Sequence, residues 1–121
     1  MPVDFAIDPK ARVVFLSLWG EVSSDDFECY QRSCYSHDDF DPNFHELIDC
    51  SELRLTDADF TSMMQICNRD QWSAESRRAI VAPRTVIFGL AMMYKTLAGG
   101  RHGNIEVFRD IHKARGWLGI E

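Results

Sequence analysis

The sequence predicts an α/β domain: a five-stranded mixed sheet with four helices, in the order β-β-α-β-α-β-α-β-α. Three observations carry this prediction. Short apolar runs of strand period alternate along the chain with runs of helical period, which implies βαβ crossovers and a mostly parallel sheet. The first two strand runs are joined only by the turn Asp8-Pro9-Lys10-Ala11, so they form a hairpin and contribute an antiparallel pair. The 121 residues contain no repeat, no low-complexity segment and no Pro/Gly/Ser linker, so residues 1–121 make a single domain.

The elements follow in order. Val3, Phe5 and Ile7 alternate with polar Asp4, as in a half-buried strand. Arg12 to Trp19 is the second strand. Val14, Leu16 and Leu18 share one face and Val13, Phe15 and Trp19 the other, so both faces are expected to be covered. Ser23 opens the first helix with a near capping box through Asp26, and Asp25 and Asp26 suit the positive helix end. Phe27, Tyr30 and Cys34 form its apolar stripe, and the polar run Ser36 to Asn43 ends it. His45 to Cys50 reads as a short strand. Thr56-Asp57-Ala58-Asp59 then signals a helix start, and Phe60, Met63, Met64 and Cys67 follow at helical spacing. With that stripe in the core, Met64→Ala should cost roughly 2–5 kcal/mol. Arg78 to Ala82 is a strand stopped by Pro83. Leu90, Met93, Tyr94 and Leu97 mark the core face of a helix that Gly99-Gly100 closes. Ile105 and Val107 mark the last strand, and Asp110 caps a final helix through Ile111, Ala114, Trp117 and Leu118.

Composition narrows the function classes. Hydrophobic residues at 45% and charged residues at 26% are globular proportions. Thirteen basic against 19 acidic residues leave a net charge of −6, which repels phosphate backbones, so no nucleic-acid partner is expected. Neither a signal peptide nor a membrane-spanning run is recognisable, and the expected location is cytoplasmic. Cys29, Cys34, Cys50 and Cys67 contain no C-x-x-C pair and read as reduced, mostly buried residues, without a disulfide.

The order of elements and several of their residues resemble the SpoIIAA-like family, relatives of the STAS domain. The resemblance spans essentially the whole chain. It rests on the hairpin ending in Trp19-Gly20-Glu21-Val22, the strand-to-turn run from Leu47 through Asp49-Cys50-Ser51 to Leu53, and the helix Phe88-Gly89-Leu90-Ala91-Met92-Met93-Tyr94. Val107-Phe108-Arg109-Asp110, leading into Trp117-Leu118, completes it. The family's fold has been likened to the Sec14-type carriers of small apolar molecules, which implies an apolar ligand. STAS switch proteins carry a regulatory serine in an Asp-Ser-Ser-Gly run after the central strand. Here that run falls on Asp57-Ala58-Asp59-Phe60, where only the Asp matches. With no hydroxyl at Ala58 or Asp59, phosphorylation by a STAS-type kinase is not expected there. Asp59 is then either a fixed negative charge in place of a phosphate or a helix-capping carboxylate.

No catalytic set emerges. Asp39, Asp41 and Asn43 have calcium-loop spacing, but Phe44 and Cys50 occupy the positions of the obligatory Gly and Glu. Cys34 and His37 are too few for a zinc site, and His45, His102 and His112 stand alone. Gly99 to Gly103 follows a helix rather than preceding one, so it is no phosphate cradle, although Arg101 and His102 are candidates to touch an anionic headgroup. Asp49, Glu52 and His45 are acid–base residues without a diagnostic spacing. The expectation is a non-enzymatic protein with neither metal nor cofactor. The methionines offer more. Met63, Met64, Met92 and Met93 sit on successive helices, and Phe88 lies one turn before Met92. Methionine suits irregular apolar surfaces. Met63, Met64, Phe88, Met92 and Met93 are therefore the candidate ligand-binding or dimer surface. The partners expected there are an apolar small molecule or lipid, a protein, a peripheral membrane contact, or a second copy in a homodimer. The alternative is a STAS-type partner-switch regulator lacking its phosphoacceptor serine.

Overall fold

The structure, a computed structural model, describes residues 2–57, 59–102 and 104–120; the side chains of residues 55 and 100–102 lie outside that description. Nine elements follow in the expected order: β1 (Val3–Asp8), β2 (Val13–Val22), α1 (Ser24–Tyr35), β3 (His45–Thr56), α2 (Phe60–Asn68), β4 (Arg78–Val81), α3 (Thr85–His102), β5 (Ile105–Phe108) and α4 (Ile111–Leu118). The strands lie side by side in chain order, β1-β2-β3-β4-β5. β1 runs antiparallel to β2, and the remaining pairs are parallel.

Strand order never reverses, so successive right-handed crossovers place their helices on the same face. α1, α2 and α3 cover that face, and α4, which follows the last strand, covers part of the other. β2 divides between them as its alternation requires. Val14, Leu16 and Leu18 join Tyr30, Cys34, Cys67, Ile87 and Ala91 in the larger core. Val13 and Phe15 pack with Leu47, Ala79, Ala114 and Leu118 under α4. Trp19 differs from expectation: it is 41% exposed. α4 is only eight residues long and packs on β3, β4 and β5, so it does not reach the end of β2.

The helix ends obey local chemistry. Ser23 Oγ accepts from Asp26 N at 3.2 Å while Ser23 N donates to Asp26 Oδ2 at 2.9 Å, a complete capping box. Asp110 caps α4 by accepting from His112 N at 2.8 Å, and Gly119 ends it at φ 78°.

Three boundaries depart from the sequence reading. β2 continues to Val22 and β3 to Thr56, because the two pair in parallel along almost their whole length. Polar Asp49, Ser51, Glu52 and Arg54 disguise the second half of β3, and register shifts between Ser17 and Trp19 and between Gly20 and Glu21 break the alternation. α3 runs through Gly99–Gly100 to His102. An interior glycine costs a helix only about 1 kcal/mol relative to Ala, too little to end it. Finally, the deeply buried stripe of α3 is Ile87, Ala91 and Ala98, while Leu90, Met93, Tyr94 and Leu97 are half-buried. Two of these three buried residues are alanines, so side-chain size was a misleading guide to burial.

Candidate functional site

Two constellations lie between the sheet and its three-helix face. The first is ionic. Arg78, the first residue of β4, is 4% exposed, and Glu46, beside it in β3, is 2% exposed. Arg78 Nε donates to Glu46 Oε1 at 3.3 Å, Nη1 donates to Asp70 Oδ2, and Nη2 donates to Tyr94 Oη at 2.7 Å. Tyr30 Oη of α1 donates to the other Glu46 oxygen. The Trp72 and Tyr94 rings each lie 5.9 Å from the guanidinium carbon. Burial raises the Glu46 carboxyl above its ordinary value, with Arg78 pulling the other way. Burial also pushes the Tyr30 and Tyr94 phenols up, so both stay protonated, Tyr30 donating to Glu46 and Tyr94 accepting from Arg78. The cluster thereby ties α1, β3, the segment after α2, β4 and α3 to one another. It sits at the N-terminal ends of β3 and β4, whereas open α/β sheets bind ligands at the carboxyl ends of their strands. Among the described residues, every buried side-chain nitrogen and oxygen has a hydrogen-bond partner. The cluster is a clamp with its bonding capacity engaged internally.

The second constellation is apolar. A cavity of about 80 Å³ lies over the centre of the sheet. Leu18 of β2, Ile48, Cys50 and Leu53 of β3 and Ile80 of β4 form its floor. Phe27 of α1, Met63 and Ile66 of α2, and Ile87, Leu90, Ala91 and Tyr94 of α3 form its walls, with Thr56 at the end of β3. Of these 13 residues only Thr56 and Tyr94 carry a side-chain oxygen, and the Tyr94 hydroxyl is turned to Arg78. Phe27, Thr56, Leu90 and Tyr94 are half-buried, so the cavity approaches the surface among them. Tyr94 joins the constellations: its ring lines the cavity and its hydroxyl belongs to the clamp.

The candidate residues from the sequence are distributed unevenly around this site. Met63 is buried and lines the cavity. Met64 is half-buried, so Met63 and not Met64 is the core methionine of α2. Phe88 packs against the main core with the Arg109 guanidinium 4.2 Å above its ring. Met92 is 38% exposed and Met93 half-buried, both away from the cavity lining. Asp57 Oδ1 accepts from Ser24 N at 2.7 Å, linking the end of β3 to the start of α1. Ala58 lies outside the described residues. Asp59 is the N-cap of α2, accepting from Ser62 N at 2.9 Å, and this backbone bond lowers its carboxyl below the ordinary value. The side chains of Arg101 and His102 also lie outside the description.

The acid–base residues do not converge. His45 and Asp49 are four positions apart on one strand, roughly 13 Å at about 3.3 Å per residue. His45 Nδ1 accepts from Arg77 N at 2.9 Å, and Asp49 Oδ1 accepts from Ser51 N at 2.9 Å. Cys34, Cys50 and Cys67 are buried and Cys29 exposed. Burial pushes the Cys34 and Cys50 thiols up to about 12, which leaves them poor nucleophiles. Among the described residues no group of His, Cys, Asp and Glu is arranged to hold a metal ion, and no helix is long and apolar enough to cross a membrane.

The sequence reading missed Glu46, Asp70 and Arg78 as a unit. The available signal was a charge inside an otherwise apolar strand, Glu46 before Leu47-Ile48 and Arg78 before Ala79-Ile80-Val81. Such a charge is buried only with a partner.

No protein family model matches the sequence, and no curated protein matches it. Among solved structures the chain is similar to an uncharacterised protein of the DUF3478 family, with a SpoIIAA-like fold, from Shewanella loihica PV-4. The TM-score is 0.66 at 16% identity, over 96% of this chain and 93% of that one. The chain has the SpoIIAA-like fold.

Proposed function

We propose that this chain is a non-catalytic binding module whose cavity takes the apolar end of a larger ligand. The observation that carries this reading is the cavity itself, an apolar space between the centre of the sheet and its three-helix face. Its size bounds the occupant. A cavity of about 150 Å³ accommodates benzene, so a space about half as large suits a group of about three carbons. A whole acyl chain exceeds it. The lining offers no free polar group to read a headgroup, so recognition inside the cavity is by shape and apolar burial.

The same size argument says that the cavity is an anchor rather than a complete site. Even at the ceiling of about 1.5 kcal/mol per non-hydrogen atom, three carbons give roughly 4.5 kcal/mol, a dissociation constant near the millimolar range. The remainder of the ligand must lie outside and supply the rest. A short branched or linear alkyl end of a small organic molecule fits this description. The SpoIIAA-like neighbour adds the fold to this reading and nothing about ligands.

The test is a titration of the whole chain with 1-propanol, followed by methyl NMR. Saturable shifts confined to the methyls of the cavity lining, those of Ile48, Ile66, Ile80 and Ile87 among them, are expected. Ala91→Leu places a larger side chain in the cavity and should abolish them while leaving the remaining methyl spectrum in place. Unsaturable shifts spread over the protein, or shifts unaffected by Ala91→Leu, would refute the reading.

A further inference from the structure

We propose that the outer face of α3 is the docking surface for a second copy of this chain, in an antiparallel two-fold pair. Among the described side chains of this helix, residues 85–99, the exposed positions are Thr85, Val86, Gly89, Met92, Thr96 and Gly99, which from Val86 onward form a continuous ridge with spacings of three and four residues. None is charged. Val86 is 75% exposed. Between Thr85 and Gly99 the single charged residue is Lys95, which lies on the flank, half-buried and ion-paired with Glu106 of β5. α1 and α4 behave differently: α1 exposes Asp25 and Arg32, and α4 exposes His112 and Lys113, whereas the short α2 exposes Phe60, Thr61, Gln65 and Asn68 and is also uncharged. A solvent-facing helix normally carries its charges on the outer face.

The charge of the chain decides what covers this ridge. A basic partner would meet carboxylates there, and the ridge has none. An anionic membrane repels a chain of net charge −6, and the ridge presents no cluster of Lys and Arg to offset that. Two copies of an acidic chain repel each other over most orientations, and an uncharged ridge is where they approach at least cost. The ridge is also self-complementary. A two-fold axis between Met92 and Met93 sets Val86 against the partner's Gly99 and Gly89 against the partner's Thr96, large residues facing small ones, with the exposed Met92 of each copy beside the axis. Antiparallel packing also opposes the two helix dipoles.

Sedimentation equilibrium on the whole chain and on Gly89→Glu tests this. A Cβ at Gly89 meets nothing within 4 Å, and Glu is the better helix former, so the variant folds. The wild type should be a dimer, and Gly89→Glu should raise its dissociation constant at least about tenfold, through two carboxylates brought to the interface. In a Cys29→Ser background, Met92→Cys should cross-link between copies on mild oxidation far more than Lys113→Cys on α4. A wild type that stays monomeric up to about 1 mM, a dimer that survives Gly89→Glu, or cross-linking no greater than at the α4 control would each overturn the proposal.

Discussion

Replacing Arg78 by Met removes the guanidinium that Glu46 and Asp70 share while keeping an unbranched side chain of similar length. The three side chains are 5%, 2% and 0% exposed, respectively, so this ion network belongs to the buried regime. An exposed pair would be worth only about 0–1 kcal/mol. Breaking a buried one costs roughly 3–5 kcal/mol, because uncompensated charge is left behind. That is a large share of the roughly 5–15 kcal/mol that stabilises a domain. The loss should also depend on pH. Burial already holds the Glu46 carboxyl above its ordinary value, so the folded state binds this proton more readily than the unfolded chain. A carboxyl raised in this way contributes stability at low pH that is lost as pH climbs through the folded value. Arg78 opposes the rise, so its removal raises the carboxyl further and widens the window. Urea unfolding followed by circular dichroism should therefore show a loss larger at about pH 8 than at about pH 5, by at least the roughly 1.4 kcal/mol that one pKa unit represents. The double change Arg78→Met with Glu46→Gln should lose this extra pH dependence. A loss below about 1 kcal/mol, or one equal at both pH values, would contradict the clamp.

Other changes probe separate parts of the account. Met63→Ala should cost roughly 2–5 kcal/mol and Met64→Ala distinctly less, compared by urea midpoints. Ser23→Ala removes half of the α1 capping box and should cost about 1 kcal/mol by the same assay. Gly20 has φ 64° with nothing within 4 Å of an added Cβ, so Gly20→Ala should cost about 1–2 kcal/mol from backbone strain alone, and a thermal midpoint equal to wild type would exclude that.

The fold was legible because its signals are local and redundant. Ser23 and Asp110 each announce a helix start with a side chain that makes the predicted cap, and β2 sorts its residues between two cores by simple alternation. Signals failed where a long-range partner overrides local pattern. The second half of β3 is a strand because β2 pairs with it, although the local pattern ends the strand at Cys50. Gly99–Gly100 stays helical because nothing there requires a turn. The site was less visible. Met63 was recoverable from helical spacing, but Ala91 and Ile80 look like ordinary core, and the cavity exists only through the convergence of six elements. Glu46, Asp70 and Arg78 are separated by 24 and 8 positions, so no spacing in the sequence joins them.

The most direct test of the anchor cavity is the binding free energy of a series of primary alcohols of increasing chain length, measured by methyl NMR at Ile48, Ile80 and Ile87. Each methylene that enters should add up to about 0.8 kcal/mol. The account predicts a steady gain over about three carbons and then a plateau, as further carbons remain outside an 80 Å³ space. A gain that continues through much longer chains, or no saturable binding at any length, would contradict it.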